Sequence, residues 1–311
     1  MESQRGSGSK KANAIVILIP YFGKFPVWFD LYLLSCSKQE NVDFVFFTDC
    51  EIPTQSYPNT FFERMSFASY CKKVSDMLKL KFAPLSPYKL CDLKPFLGII
   101  HADVVSDYEF WGCADIDLVY GDLSIVTNRG NLNKYDIVTT HTNRVAGHFV
   151  IVRRGTSYDR SCLKIKDWKQ KLMSDLHLSV DEDDWVFVIY PQVRWLRRLY
   201  RYVFAPLGVP MKYCFEGFLN KLFCNRITRR CFSEYSTTPL PQKGERWVYE
   251  MKTSEMRSPS GKRLPYLHFL FFKKTQYKET DSFWKEDSWK MPVSLNHLSR
   301  VEFSNECVVF Y

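Results

Sequence analysis

Asp115 and Asp117 stand one residue apart in the stretch Phe110-Trp-Gly-Cys-Ala-Asp115-Ile-Asp117-Leu-Val-Tyr-Gly121-Asp122-Leu, an apolar run that ends in a glycine turn. Side chains at i and i+2 of a strand point to one face, so the two carboxylates can aim at a single point. If the strand breaks at Ile116 they divide the work, one holding a metal and the other a sugar or a water on that metal. Converging carboxylates suit a hard divalent cation with positions left open for phosphate oxygens. The pattern alone is weak. With 19 aspartates in 311 residues, about one Asp-x-Asp is expected by chance, and Asp181 with Asp183 makes a second.

Other residues able to do chemistry are spread along the chain. Lys89, Asp92 and Lys94 form a charge cluster in an otherwise apolar stretch; a solvated helix face is the plainer alternative. Asp181-Glu182-Asp183-Asp184 is an acidic knot before Trp185, able to supply a carboxylate base or simply to cap a helix. His268 lies in the apolar run 266–272, where a lone histidine is ordinarily structural. The ten cysteines (36, 50, 71, 91, 113, 162, 214, 224, 231 and 307) fall mostly in apolar runs and show no zinc spacing. They read as buried thiols of a reducing compartment.

The composition, 46% hydrophobic, 25% charged and 16% aromatic, is that of a globular chain. No composition break marks a linker, so one elaborated domain over 13–311 is expected. Residues 1–12 lack an apolar core and predict a disordered tail rather than a signal peptide. The longest apolar run, 14–22, is about half of what a membrane span requires, and the expected location is cytoplasmic. The net charge of +9 is concentrated in 191–232, where nine Lys/Arg meet one acid, Glu216. Cations and aromatics alternate there at helical spacing, which predicts contact with an anionic membrane surface at its inner face; a basic-faced core helix or an acceptor groove is the alternative. A nucleic-acid-binding reading competes for the same stretch. It lacks any helix-turn-helix, RNA-recognition or zinc signature and leaves Asp115, Asp117 and His268 without a purpose, so no nucleic acid is expected as a partner.

Elements must position these groups. The run 14–20 is β-branched and continuous, as in a strand buried on both faces of a parallel sheet, and ends in the loop Pro20-Tyr21-Phe22-Gly23-Lys24. A helix over 28–37 and a second strand ending in Thr48-Asp49 complete a βαβ unit. In open α/β sheets ligands sit at the carboxyl ends of strands, which places the loop 20–24 and Asp49 at a binding edge. Helical patterns follow over 67–80, 88–100 and 164–176, with strands over 136–140 and 147–153. Two further strands, 245–253 and 266–273, are expected to form a C-terminal hairpin about the turn 258–261.

The order of these elements resembles GT-A-type nucleotide-sugar glycosyltransferases. The phrases Lys89-Leu-Cys-Asp92-Leu-Lys94-Pro95, Trp111-Gly-Cys-Ala-Asp115-Ile-Asp117-Leu and Tyr266-Leu-His268-Phe are similar to those of poorly characterised bacterial and viral glycosyltransferase-like proteins of polysaccharide synthesis. The resemblance implies a GT-A, Rossmann-like α/β domain with a mixed, mostly parallel sheet flanked by helices, a basic helical insertion and the C-terminal hairpin. It implies that Pro20, Tyr21, Phe22, Gly23, Asp49, Lys89, Asp92, Lys94, Asp115, Ile116 and Gly147 contact a UDP- or GDP-sugar. Asp115, Asp117 and His268 would hold Mn²⁺ or Mg²⁺, and Asp181, Glu182 or Asp183 would act on the acceptor side. Lys273 takes the place of a diphosphate-binding lysine, although the glycine that relatives carry between that His and Lys is absent and the spacing is one residue short. The implied activity is transfer of a sugar to a glycan or lipid-linked glycan acceptor in surface polysaccharide synthesis; a non-catalytic sugar-binding relative is the alternative. The chemistry agrees with the residue types. A departing nucleoside diphosphate accumulates negative charge, which a divalent ion and a lysine stabilise.

Overall fold

A computed structural model of the chain describes residues 13–140, 147–189, 242–270 and 297–311, with short pieces at 202, 206, 237–239, 272, 289–292 and 294–295. The tail 1–12, nearly all of the basic segment 191–232, and Lys273 lie outside the described residues.

The chain opens with β1 (Ile15–Pro20), α1 (Phe29–Ser37) and β2 (Val42–Thr48), the expected βαβ unit. β1 pairs parallel with β2. Its alternating side chains serve two cores: Val16 and Leu18 pack on one face of the sheet, and Ile15, Ile17 and Ile19 on the other. That double burial is why the run carries no polar alternation. α1 is apolar around its circumference because it is sandwiched as well. Phe29, Tyr32 and Leu33 face the central sheet, while Leu31 and Leu34 join a third core beneath the C-terminal strands.

Next come β3 (Thr60–Arg64) and α2 (Phe67–Leu78). β3 was hidden by its aromatic pair, which reads equally well as part of a helix; as an edge strand it buries little of its length. The stretch expected as a helix over 88–100 is a 3-10 segment, Pro87–Phe96, that passes into α3 (Leu97–Ile100). Pro95 supplies no backbone N–H and disfavours the α conformation at the residue before it, which accounts for the tighter winding.

After α4 (Ala102–Val105), β4 (Phe110–Ala114) runs beside β1. The strand stops at Ala114, and residues 115–117 form a bend before β5 (Leu118–Tyr120). α5 (Ser124–Thr127), α6 (Arg129–Lys134), β6 (Ile137–Thr139) and β7 (Phe149–Arg153) follow. The central sheet has the order β3-β2-β1-β4-β7-β6, parallel from β3 to β4 and antiparallel across β7. It is a mixed α/β fold with a mostly parallel, helix-flanked sheet, as the sequence predicts. The strand order reverses between β1 and β4, the place in open α/β sheets where ligands bind at the strands' carboxyl ends.

A 3-10 turn (Ser161–Lys164), α7 (Trp168–Met173), a π-turn (Val180–Asp184) and α8 (Trp185–Ile189) pack back on this sheet. The C-terminal region differs from the expected hairpin. β8 (Trp247–Glu250), β9 (Glu255–Arg257), β10 (Arg263–Leu264), β12 (Arg300–Phe303) and β13 (Val308–Phe310) make an antiparallel sheet of order β10-β9-β8-β12-β13. The turn 258–261 joins β9 to β10, not β8 to β11 (Tyr266–His268). β11 instead pairs antiparallel with β5. Ser254, with a left-handed φ of 55°, ends the run that looked continuous from 245 to 253.

Candidate functional site

The bend at 115–117 is held from both sides. The Trp28 indole N–H donates to the Ile116 carbonyl at 2.9 Å, and the Asp115 N–H donates to the His148 carbonyl at 3.1 Å. The Phe269 N–H donates to the Asp117 carbonyl at 3.1 Å. That last bond continues the β5–β11 ladder, in which His268 stands opposite Leu118. Strand pairing thus delivers His268 to Asp117 from 151 positions along the chain. Its Nε2 is 3.4 Å from Asp117 Oδ1, and its Nδ1 shares a hydrogen bond of 3.1 Å with the Thr238 hydroxyl. The His148 ring stacks on His268 at 4.3 Å between centroids.

One donor atom from each of Asp115, Asp117 and His268 lies within 4.8 Å of the other two. An Mg²⁺-sized ion with ligands at about 2.1 Å spans up to about 4.2 Å between opposed donors, so a small side-chain adjustment closes the set. Two carboxylates and an imidazole fit Mn²⁺ or Mg²⁺ in donor chemistry and leave positions free. Of the two arrangements open in the sequence, the bend replaces the i, i+2 strand geometry, yet both carboxylates still reach one point.

Lys94 stands on the other side of Asp115. Its Nζ is 2.6 Å from Asp115 Oδ1 and 3.3 Å from Asp181 Oδ2. Burial alone would depress this ammonium, but Asp115 and Asp181 together hold its pKa well above the ordinary lysine value. Each contact is worth on the order of 5 kcal/mol of Coulomb energy at an effective dielectric of about 20. That offsets the several kcal/mol lost in desolvating a cation. For Asp181 the balance tips the other way: burial pushes its carboxyl up to about 6, with Lys94 pulling down and Glu182 and Asp115 adding to the rise. Three carboxylates and one ammonium leave two negative charges uncompensated before any histidine charge is counted, the deficit that one divalent cation would fill.

Gly147 is required here by space. A β-carbon at that position would lie 2.2 Å from Asp181 Oδ2, so any other residue would force the carboxylate to shift. Around the end of β1, the Gly23 N–H donates to Asp49 Oδ1 at 2.7 Å and takes a left-handed φ of 107°. This bond clamps the loop 20–24 to the end of β2. Tyr21 stacks on Phe25 at 5.5 Å, and burial raises its phenol pKa, with smaller contributions from Cys50 and Asp117. Phe22 turns into the core against Phe67 and Tyr70.

Lys89 and Asp92 are placed elsewhere. In a 3-10 helix residues three apart eclipse, so these two share a face that Lys94, five positions on from Lys89, does not. Lys89 Nζ lies 2.8 Å from Asp92 and donates to the carbonyls of Lys171 and Leu176 at 2.7 and 2.6 Å. Asp92 accepts the N–H groups of Leu178 and Val180, both at 2.9 Å. The pair is buried and staples the loop 171–180, which leads into Asp181. A donor atom from each of Asp92, His177 and Asp181 also comes within 4.8 Å of the others, but Asp92 already takes an ammonium and two amides, with His177 Nε2 at 3.5 Å, and so has little capacity left for an ion. Glu182 is exposed, and the side chain of Asp183 lies outside the described residues. Trp28 and Thr238 are contacts the sequence reading missed, because an aromatic and a polar residue outside regular elements carry no spacing signal; His148, which the resemblance sets beside Gly147 at the donor-sugar border, stacks on His268.

Two hollows, of about 350 and 550 Å³, share Lys38, Gln39, Glu40 and Asn41 at the amino ends of β1 and β2. They lie at the opposite end of the sheet from the carboxylates. Donor chemistry, not concavity, marks the site.

A mostly parallel α/β sheet with an acidic, lysine-containing cluster at its carboxyl edge defines the class of this molecule. The chain belongs to the family described as "Family of unknown function (DUF6625)", whose model matches residues 17–201. That span includes Asp115, Asp117, Lys94, Gly147 and Asp181 but not His268. Comparison with curated proteins returns no match.

Proposed function

We propose that the protein is a metal-dependent, GT-A-type glycosyltransferase that moves a sugar from a UDP- or GDP-sugar to a glycan or lipid-linked glycan acceptor of surface polysaccharide synthesis. The observation that carries the reading is the meeting of Asp115, Asp117 and His268 beside the Lys94–Asp181 pair at the carboxyl ends of β1 and β4. Asp115, Asp117 and His268 would hold Mn²⁺ or Mg²⁺, which when bound supplies positive charge to the diphosphate. The loop 20–24, braced by Asp49, offers an aromatic ring and a glycine backbone to a nucleotide. Lys94 lies between Asp115 and Asp181 and offsets their mutual repulsion. Asp181, ionised at neutral pH yet more basic than an ordinary carboxylate, either takes the proton of the acceptor hydroxyl or stabilises charge at the anomeric carbon. Gly147 leaves that carboxylate room.

The test is release of nucleoside diphosphate from a panel of UDP- and GDP-sugars with Mn²⁺, with water or added glycans as acceptor. Asp115→Ala and Asp117→Ala should abolish release while leaving the circular dichroism spectrum unchanged. Full activity in either variant would sink the metal assignment.

A further inference from the structure

Away from the acidic cluster, several large apolar side chains are exposed to solvent. Leu85 is 87% exposed and Leu176 70%, and Tyr88 and Met173 are each about half exposed. They belong to one surface. The Tyr88 ring contacts His177 at 4.8 Å between centroids, and Lys89, next to Tyr88, donates to the Leu176 carbonyl. The loop bearing Leu176 and Leu178 is not slack. The buried Lys89–Asp92 pair grips its backbone at four points and presents those leucines outward.

The rim is cationic. Residues 79–88 carry two lysines and no acid, and 163–178 carry four lysines and two aspartates. Lys79, Lys81, Lys164, Lys166 and Lys169 are exposed. Lys171 is neutralised by Asp184 at 2.5 Å.

We propose that this face, with Leu85, Tyr88, Met173 and Leu176 at its centre and the lysines at its rim, docks the protein on an anionic phospholipid bilayer. Protruding leucines and a tyrosine insert among acyl chains and headgroups while lysines meet lipid phosphates. A protein partner fits less well, because lysine is depleted at protein interfaces. No helix among the described residues is long and apolar enough to cross a membrane, so the contact is with the surface. The docking is independent of the transferase reading. If that reading holds, the loop carrying Leu176 runs directly into Asp181, and a lipid-linked acceptor would approach from the docked side.

Flotation of the full chain with vesicles tests this, without nucleotide or sugar. The protein should rise with phosphatidylcholine–phosphatidylglycerol vesicles and stay below with phosphatidylcholine alone. Each lysine in contact is worth about fivefold in partitioning and each inserted leucine roughly tenfold. Leu85→Ser with Leu176→Ser should therefore lower anionic-vesicle binding on the order of a hundredfold, and Lys166→Gln with Lys169→Gln about 25-fold, at unchanged melting temperature. Retention of all the protein in the soluble fraction would overturn the proposal. So would undiminished flotation of the leucine variant, which would put membrane contact elsewhere on the chain. A dimer in solution that the leucine variant dissociates would instead make this face an interface between copies, and would overturn it equally.

Discussion

Asp181 is the residue whose surroundings most alter its chemistry. Its carboxyl is buried and pushed up to about 6 from an ordinary value of 3.8. A raised carboxyl holds its proton more tightly in the native state than in the unfolded chain. It therefore contributes stability that is fully present below about pH 4 and is lost as pH rises through 6. In metal-free buffer, the unfolding free energy of the wild type relative to Asp181→Asn should fall by about 2–3 kcal/mol between pH 4 and pH 7. A difference that is flat with pH would show that the carboxyl is not buried as described. Gly147 makes a companion prediction. Its β-carbon would meet Asp181 at 2.2 Å, so Gly147→Ala should destabilise by about 1–3 kcal/mol. Asp181→Ala in the same chain should recover most of that loss, because the clash is with the carboxylate alone.

At the scale of elements, the 3-10 segment Pro87–Phe96 divides its charges between two tasks. Lys89 and Asp92 hold the loop 171–180, and Lys94 faces the carboxylates. Asp92→Ala should cost about 3–5 kcal/mol in denaturant unfolding, since it strands a buried ammonium. Replacing both partners by apolar residues, Lys89→Met with Asp92→Leu, should recover only part of the loss, because the N–H groups of Leu178 and Val180 lose their acceptor. Full recovery would mean that the amides find other partners. This segment also marks where sequence reading reaches its limit. Lys89-x-x-Asp92-x-Lys94 shows three charges in an apolar stretch, and α-helical, 3-10 and extended windings distribute them differently. Pro95 hints at the winding, but only packing against 171–180 buries two of the three. The β1–α1–β2 unit was legible because a β-branched run, a helical run and a second apolar strand each have one reading. β3 was not, since Thr60–Arg64 is partly exposed and carries no alternation. The hairpin was misplaced because strands that pair across more than a hundred residues leave no local trace of their partner.

For the whole molecule, the central feature is that separate parts of the chain converge at one edge of one sheet. β4 delivers Asp115 and Asp117, the 3-10 segment Lys94, the π-turn Asp181, and β11 His268. Asp115 and Asp117 could be singled out in the sequence because they end an apolar strand. Their geometry could not, since the bend depends on Trp28 and on the β5–β11 pairing. The most direct test of the account is nucleotide binding read as a melting shift, with UDP and GDP each offered with and without Mn²⁺. One diphosphate should raise the melting temperature only when Mn²⁺ is present, and Asp117→Asn and His268→Ala should each remove the rise. A shift that persists in EDTA or in both variants, or no shift with either nucleotide, would contradict the account.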